Sequence, residues 1–241
     1  LPASSPCPEP EAPADVPRST DRRAVRTRAA LRDALAVEIH EAGGLDRVVV
    51  AQLAERADVT RRTFYSHFKD IPDLVEYVEQ ELLEGLASHL RTISATTLDE
   101  LYDGFGRLEP CPGSVELLTY IKDNGAIMAA LLGPGGDPNF VEKIKRIARE
   151  TAAKRAMHNI DTRALGTFFD YYLAFAISAE VGVIQKWLEN GLRESPELMA
   201  RALTVLMFVR PGDLYGKPVD LDVPLLGMLF SRLTHKEIEK Q

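Results

Sequence analysis

Apolar residues recur at intervals of three and four along nearly the whole chain, the spacing that lines one face of an α-helix. From Ala24 to Ala42, Leu31, Leu35 and Ile39 form one stripe, and Gly43-Gly44 follows where a helix should stop. Val48 to Ala57 places Val50, Leu53, Ala54 and Ala57 at the same spacing. After Asp58-Val59 a second short helix is predicted from Thr60, with Phe64 and Phe68 one turn apart on its underside. Asp70 and Pro72 open a long helix, 72–93, carrying Leu74, Val75, Val78, Leu82, Leu86 and Leu90. Past residue 95 the helical pattern is broken at Pro110 to Gly113, Gly133 to Pro138, Asn159 to Asp161, Asn190 to Pro196 and Pro211 to Pro218. Helices are predicted over about 96–107, 113–123, 125–132, 138–157, 162–190 and 196–210, with one more from Asp222 to about 239. The whole reads as an all-α fold.

The segment Val59 to Asp70 carries the most specific chemistry. With Phe64 and Phe68 turned inward, Arg62, Thr63, Tyr65 and Ser66 point away, giving a helix with an apolar underside and a basic, hydroxyl-bearing, aromatic outer face. Such a face suits phosphates and base edges in a DNA major groove. A short helix, a tight turn and a second helix capped by Thr60 make a helix-turn-helix.

At this point the chain resembles the TetR family of bacterial transcription regulators. The resemblance rests on Arg28 to Leu35, on Val50 to Ala57 and on Arg61 to Asp70, whose Thr-Phe-Tyr-Ser-His-Phe core is specific, and it covers residues 22 to about 80. It implies an all-helical homodimer with a DNA-binding head and a ligand-sensing body. Position by position, Thr60, Arg61, Arg62, Thr63, Tyr65, Ser66 and His67 match the recognition helix, and Lys69 matches a phosphate contact. Arg26, Arg28 and Gln52 complete the candidate DNA-contacting set. Val49 stands where the family often has a capping Thr, Asp58 replaces a turn Gly, and Ile71 replaces a Lys or Glu. Asp tolerates the left-handed conformation better than most residues.

Charge is distributed as this reading requires. The chain is acidic, at −7, yet residues 18–69 hold 11 Lys and Arg against 7 Asp and Glu, a net +4 that leaves −11 on the remainder. Arg22, Arg23, Arg26 and Arg28 crowd the start of the first helix, where cations oppose the helix dipole; phosphates are their plausible partners.

The helix at 162–190 is apolar on nearly every side: Phe168, Phe169, Tyr171, Tyr172, Leu173, Phe175, Ile177, Val181, Val183, Ile184 and Trp187 surround it. One face can serve its own domain, and the other needs a second surface, for which an identical subunit is the expected supplier. Ala174, Ser178 and Gly182 recur every four residues and would let another helix approach, so the expected dimer interface comprises Ala174, Ser178, Gly182 and Trp187 with Leu198, Ala202, Val205 and Val209. Tyr171 to Phe175, Trp187 to Leu192 and Ser195-Pro196-Glu197, with Leu131-Leu132-Gly133 earlier, are similar to a TetR subgroup that includes regulators like the dihydroxyacetone-kinase activator. That resemblance keeps activation with a protein co-regulator open beside repression. On the helices that enclose a cavity in the family, Tyr102, Phe105, Met128, Phe168, Phe169 and Tyr172 are the candidate contacts for an unknown small, mostly apolar effector.

Length and motifs bound the alternatives. The 241 residues are read as a flexible tail at 1–20, a helix-turn-helix domain at 21–70, a helical regulatory and dimerisation domain at 71–210 and an extension at 211–241. No apolar run approaches the roughly 18 residues of a membrane span, and the two cysteines, Cys7 and Cys111, are too few for a disulfide framework or metal site, so a soluble, cytoplasmic chain is expected. No Gly-x-Ser-x-Gly elbow or His-Glu-x-x-His pair occurs, and Gly133-Pro134-Gly135-Gly136 lacks the Lys-Ser/Thr of a phosphate loop. A non-enzymatic protein without metal or cofactor is expected: a homodimeric, ligand-responsive repressor on a pseudo-palindromic operator. A helical adaptor that no longer binds DNA is the remaining alternative, and it leaves Arg61 and Arg62 unexplained.

Overall fold

The computed structural model describes residues 19–96, 100, 107, 109–159 and 167–208, and every regular element among them is helical. In chain order they are α1 (Ser19–Ala42), a 3-10 turn (Leu45–Arg47), α2 (Val50–Arg56), α3 (Arg61–His67), α4 (Ile71–Ser94), α5 (Ser114–Asp123), α6 (Gly125–Leu132), α7 (Pro138–Asn159), α8 (Thr167–Glu189) and α9 (Pro196–Phe208). The helices predicted at 96–107 and 222–239 lie outside the described residues, apart from Glu100 and Arg107. No described helix is long and apolar enough to cross a membrane.

The stripe on α1 behaves as its spacing dictates. Leu31, Leu35 and Ile39 are buried, and the helix ends in a Schellman turn: Gly43, at φ 73°, donates to His40 O, and Gly44 donates to Ile39 O. The same geometry closes α2. Asp58 takes the left-handed position at φ 52°, its N–H bonding Glu55 O and that of Val59 bonding Ala54 O. Asp thus performs the turn for which glycine is the usual residue, at some cost in backbone strain.

Head and body are built around one continuous core. It runs from Leu31, Leu53 and Phe64 through Leu74, Val78 and Leu82 of α4 to Leu118, Met128 and Trp187. α1 packs against α2 on the head side and against α6 on the body side, where Ala126, Ala129 and Ala130 face it across a shallow groove. The 3-10 turn fixes this seam, with Leu45 N donating to Gly135 O at 2.7 Å. A Cβ on Gly135 would stand 2.9 Å from Gly44 Cα, so this approach of backbones requires glycine. Arg32 of α1 reaches Glu81 of α4 and Asn124 at the α5–α6 junction.

In the body, α4 packs on α5 and α7, α8 on α6 and α7, and α9 on α5. α9 begins as its Ser-Pro-Glu sequence predicts: Ser195 Oγ accepts from Leu198 N at 3.2 Å. Hydrogen bonds from the Glu197 backbone and Ser195 hold the Glu197 carboxyl below its ordinary value. Buried Thr204 ties α9 to the approach to α5, accepting from Cys111 N at 2.9 Å.

Glu79 of α4 is buried and paired with Lys143 of α7, and its Oε1 has no partner among the described residues. Burial raises its carboxyl above the usual range against the opposing pull of Lys143. A carboxyl raised in the folded state favours folding when protonated; that contribution is full below its unfolded value and is lost as pH rises through the raised one. Lys143→Met removes the cation that draws the Glu79 carboxyl down and is expected to destabilise by about 3 kcal/mol at pH 7. The loss should shrink as pH falls toward 5 and Glu79 takes up a proton, which urea unfolding at the two pH values would read; a pH-independent loss contradicts this account.

Candidate nucleic-acid interface

α3 has seven residues and two unlike faces. Phe64 and Phe68 are buried, the latter 5.4 Å from the Tyr77 ring of α4, so the helix is anchored from below. Above, Thr60, Arg61, Arg62, Ser66 and Lys69 are exposed, and Thr63 and His67 are half-buried. Tyr65 is 59% exposed although its ring edge rests on Phe64 at 5.4 Å, which orients the phenol outward without burying it. None of the ion pairs among the described residues involves Arg61, Arg62 or Lys69, so their charge is not neutralised within the head.

Local hydrogen bonds fix the helix ends. Thr60 caps α3, its Oγ1 accepting from Thr63 N at 3.0 Å and lying 2.9 Å from Thr63 Oγ1. Ser66 Oγ donates to Thr63 O at 2.6 Å, so the Ser66 hydroxyl proton is already committed to the helix backbone. At the head of α4, Asp70 accepts from Asp73 N at 2.9 Å while Asp73 accepts from Lys69 N at 2.7 Å. This reciprocal arrangement holds the Lys69 backbone and leaves its ammonium outside. Val49 caps α2 with no side-chain hydrogen bond, as its hydrocarbon side chain must.

The remaining head candidates divide. Arg26 is exposed on α1. Gln52 is exposed on α2 and shares a groove with Glu38, Glu41, Glu55 and Arg56. Arg28 is half-buried, its guanidinium 5.5 Å from the Tyr77 ring centre, and so clamps α1 to α4. Arg56, whose spacing gave no hint of a role, bonds buried Glu38 at 2.6 Å and also reaches Glu41, bridging α2 to α1; these carboxylates raise its guanidinium further.

A cavity of about 80 Å³ lies between five body helices. Leu83 and Leu86 of α4, Ile121 of α5, Met128 of α6, Ile144 of α7 and Ile177 of α8 are among its walls, with Glu180 at its edge. Of the expected effector contacts, Met128 lines it. Tyr102 and Phe105 lie outside the described residues. Phe169 packs instead with Leu173, Ile177 and Val181, Phe168 is half-buried away from the lining, and Tyr172 is exposed. The physical reason is position along α8: these aromatics sit in its first turns, whereas Ile177, Glu180, Val181 and Ile184 wall the cavity further on. An acid between Ala179 and Val181, on a helix otherwise rich in apolar residues, is the sequence signal for Glu180.

Both α8 and α9 leave apolar surface uncovered. Tyr171, Tyr172 and Phe175 of α8 and Leu198, Leu206 and Met207 of α9 are exposed, Phe175 most of all at 70%. Ser178 and Gly182 are exposed on α8, and a Cβ on Gly182 would meet nothing. Ala174, Ala202 and Val205 are half-buried, and Val209 lies outside the described residues. Trp187 corrects the expected interface: it is 1% exposed and sits in its own protomer's core, so it has no surface to present to another subunit.

Two family models match separate parts of the chain. The family model for bacterial regulatory proteins of the tetR family matches residues 34–78, and that for a transcriptional regulator C-terminal region matches residues 109–208. The chain belongs to the TetR family. It is 21% identical over 193 residues to an uncharacterised HTH-type transcriptional regulator, YxbF, of Bacillus subtilis (strain 168). That alignment covers 80% of this chain and 47% of the relative, so the chain spans about half the length of the curated relative it matches. No solved structure matches. The TetR head match takes in all of α2 and α3 with Lys69, and the second match takes in α8 and α9. Loss of the cap that starts α3 in this TetR head should be measurable without any ligand: Thr60→Ala is expected to cost about 1 kcal/mol and Thr60→Ser much less, by thermal unfolding. Equal melting of the two variants would count against the cap.

Proposed function

We propose that this TetR family chain is a DNA-binding transcriptional regulator, acting as a homodimeric, ligand-responsive repressor on a pseudo-palindromic operator. The observation that carries the reading is α3: two buried phenylalanines hold it, while Arg61, Arg62 and Tyr65 stand exposed and unneutralised on its outer face. Such a helix can enter a major groove, with Arg bonding guanine and Lys69 a flanking phosphate. Thr60, Thr63, Ser66 and His67 border the same face; Arg26 and Gln52 are outlying contacts, and Arg28 acts chiefly through the ring it covers.

A two-fold axis supplies the second recognition helix, about one helical turn of DNA from the first. The exposed aromatics of α8 and aliphatics of α9 support the dimer: they are apolar surface of a kind that soluble chains cover. The cavity supports the response. Leu83, Leu86 and Leu90 of α4 form one wall, and at about 80 Å³ the space is smaller than the roughly 150 Å³ that holds one benzene. A larger occupant held within these walls has to move one of them, and α4, which carries the head, is among the five. α6 offers a second route, since Met128 faces the cavity and α6 packs on α1. The ligand acts only to the extent that it prefers one head position to the other.

Electrophoretic titration against DNA from upstream of the protein's own gene tests the recognition face. Arg62→Ala and Tyr65→Ala are each expected to weaken binding by about 1–3 kcal/mol; full affinity in both would remove α3 from the contact. Sedimentation at micromolar concentration is expected to give a dimer for the native chain and a monomer for Phe175→Arg. A native monomer would end the two-groove arrangement.

A further inference from the structure

Glu180 stands apart from every other side chain lining the body cavity. The remaining lining residues are all apolar, contributed by α4, α5, α6, α7 and α8. Glu180 comes from α8 and much of its surface is accessible, while the surrounding protein desolvates its carboxyl enough to raise it above the usual value. No charged group contributes to that shift, and Glu180 has no hydrogen bond or ion pair among the described residues. An ionised carboxylate accepts hydrogen bonds and donates none, so beside it a ligand group that brings donors and positive charge is favoured.

We propose that this cavity selects a small amphipathic cation: an apolar body seated against Leu86, Ile121, Met128 and Ile177, and one protonated amine paired with Glu180. The inference rests on the reading of this cavity as the effector site. An ammonium supplies a counter-charge and up to three donors, whereas an alcohol of the same shape supplies one neutral donor and an acid adds a second negative charge. The −11 borne outside residues 18–69 also favours the approach of a cation over an anion. The cavity volume calls for an apolar body smaller than benzene unless a wall moves.

The test is a titration of the full chain with n-butylamine, 1-butanol and butyrate, read from the methyl NMR signals of Met128 and Ile177. The amine is expected to bind at least tenfold more tightly than the alcohol, and butyrate not at all. Glu180→Gln, nearly isosteric and at an accessible position, is expected to erase the preference for the amine while leaving alcohol binding unchanged. If amine and alcohol bind alike, or if the preference survives Glu180→Gln, cation selection is wrong and the effector cavity stands. If none of the three perturbs either methyl, the cavity is ordinary core and both readings fall.

Discussion

Helix α1 is packed from two sides, and the rest of the molecule depends on that. Its Leu31 and Leu35 belong to the same buried cluster as Leu53 and Phe64 of the head, while its other flank lies against the small residues of α6. A short helical head buries little apolar surface by itself. Here it gains by sharing a core with the body, through α1 and through the long α4 that begins beside Phe68 and ends at the cavity. Arg28 over Tyr77 and Arg32 on Glu81 repeat the connection in polar chemistry.

A close-packed shared core also limits how the head can respond. Side chains at interior density cannot slide by small amounts, so a change in head position means repacking from one arrangement to another. In the proposed DNA contact, the rigid underside of α3 would serve recognition for the same reason. Phe64, Phe68 and the Thr60 cap fix the axis from which Arg61, Arg62 and Tyr65 project, so their long side chains search for contacts from a defined origin.

The head was legible in the sequence because its signals are local. The Thr60 cap, the Phe64 and Phe68 pair, the Gly43-Gly44 stop and the turn at Asp58 each depend on residues a few positions apart. The body was legible as helices but not as surfaces. A helix apolar all round, such as α8, does not disclose which side its own subunit covers, so the sequence alone turns Trp187 outward although its neighbours in space bury it. The cavity was less legible still, because a space between five helices belongs to none of them; Met128 was found and Glu180 was not. Arg28 and Arg56 show the same limit for charge, since the Tyr77 ring and the Glu38 carboxylate that engage them lie on other turns or other helices.

The seam at Leu45 and Gly135 has a bearing on mutational tolerance. Its hydrogen bond runs from backbone to backbone, so exchanging the Leu45 side chain leaves donor and acceptor in place. Gly135 has no such latitude, at φ 84° and with Gly44 Cα in the space a Cβ would take. Substitution there would act as a wedge between two parts of the chain remote from α3, and under the proposed function its effect would fall on regulation rather than on DNA contact.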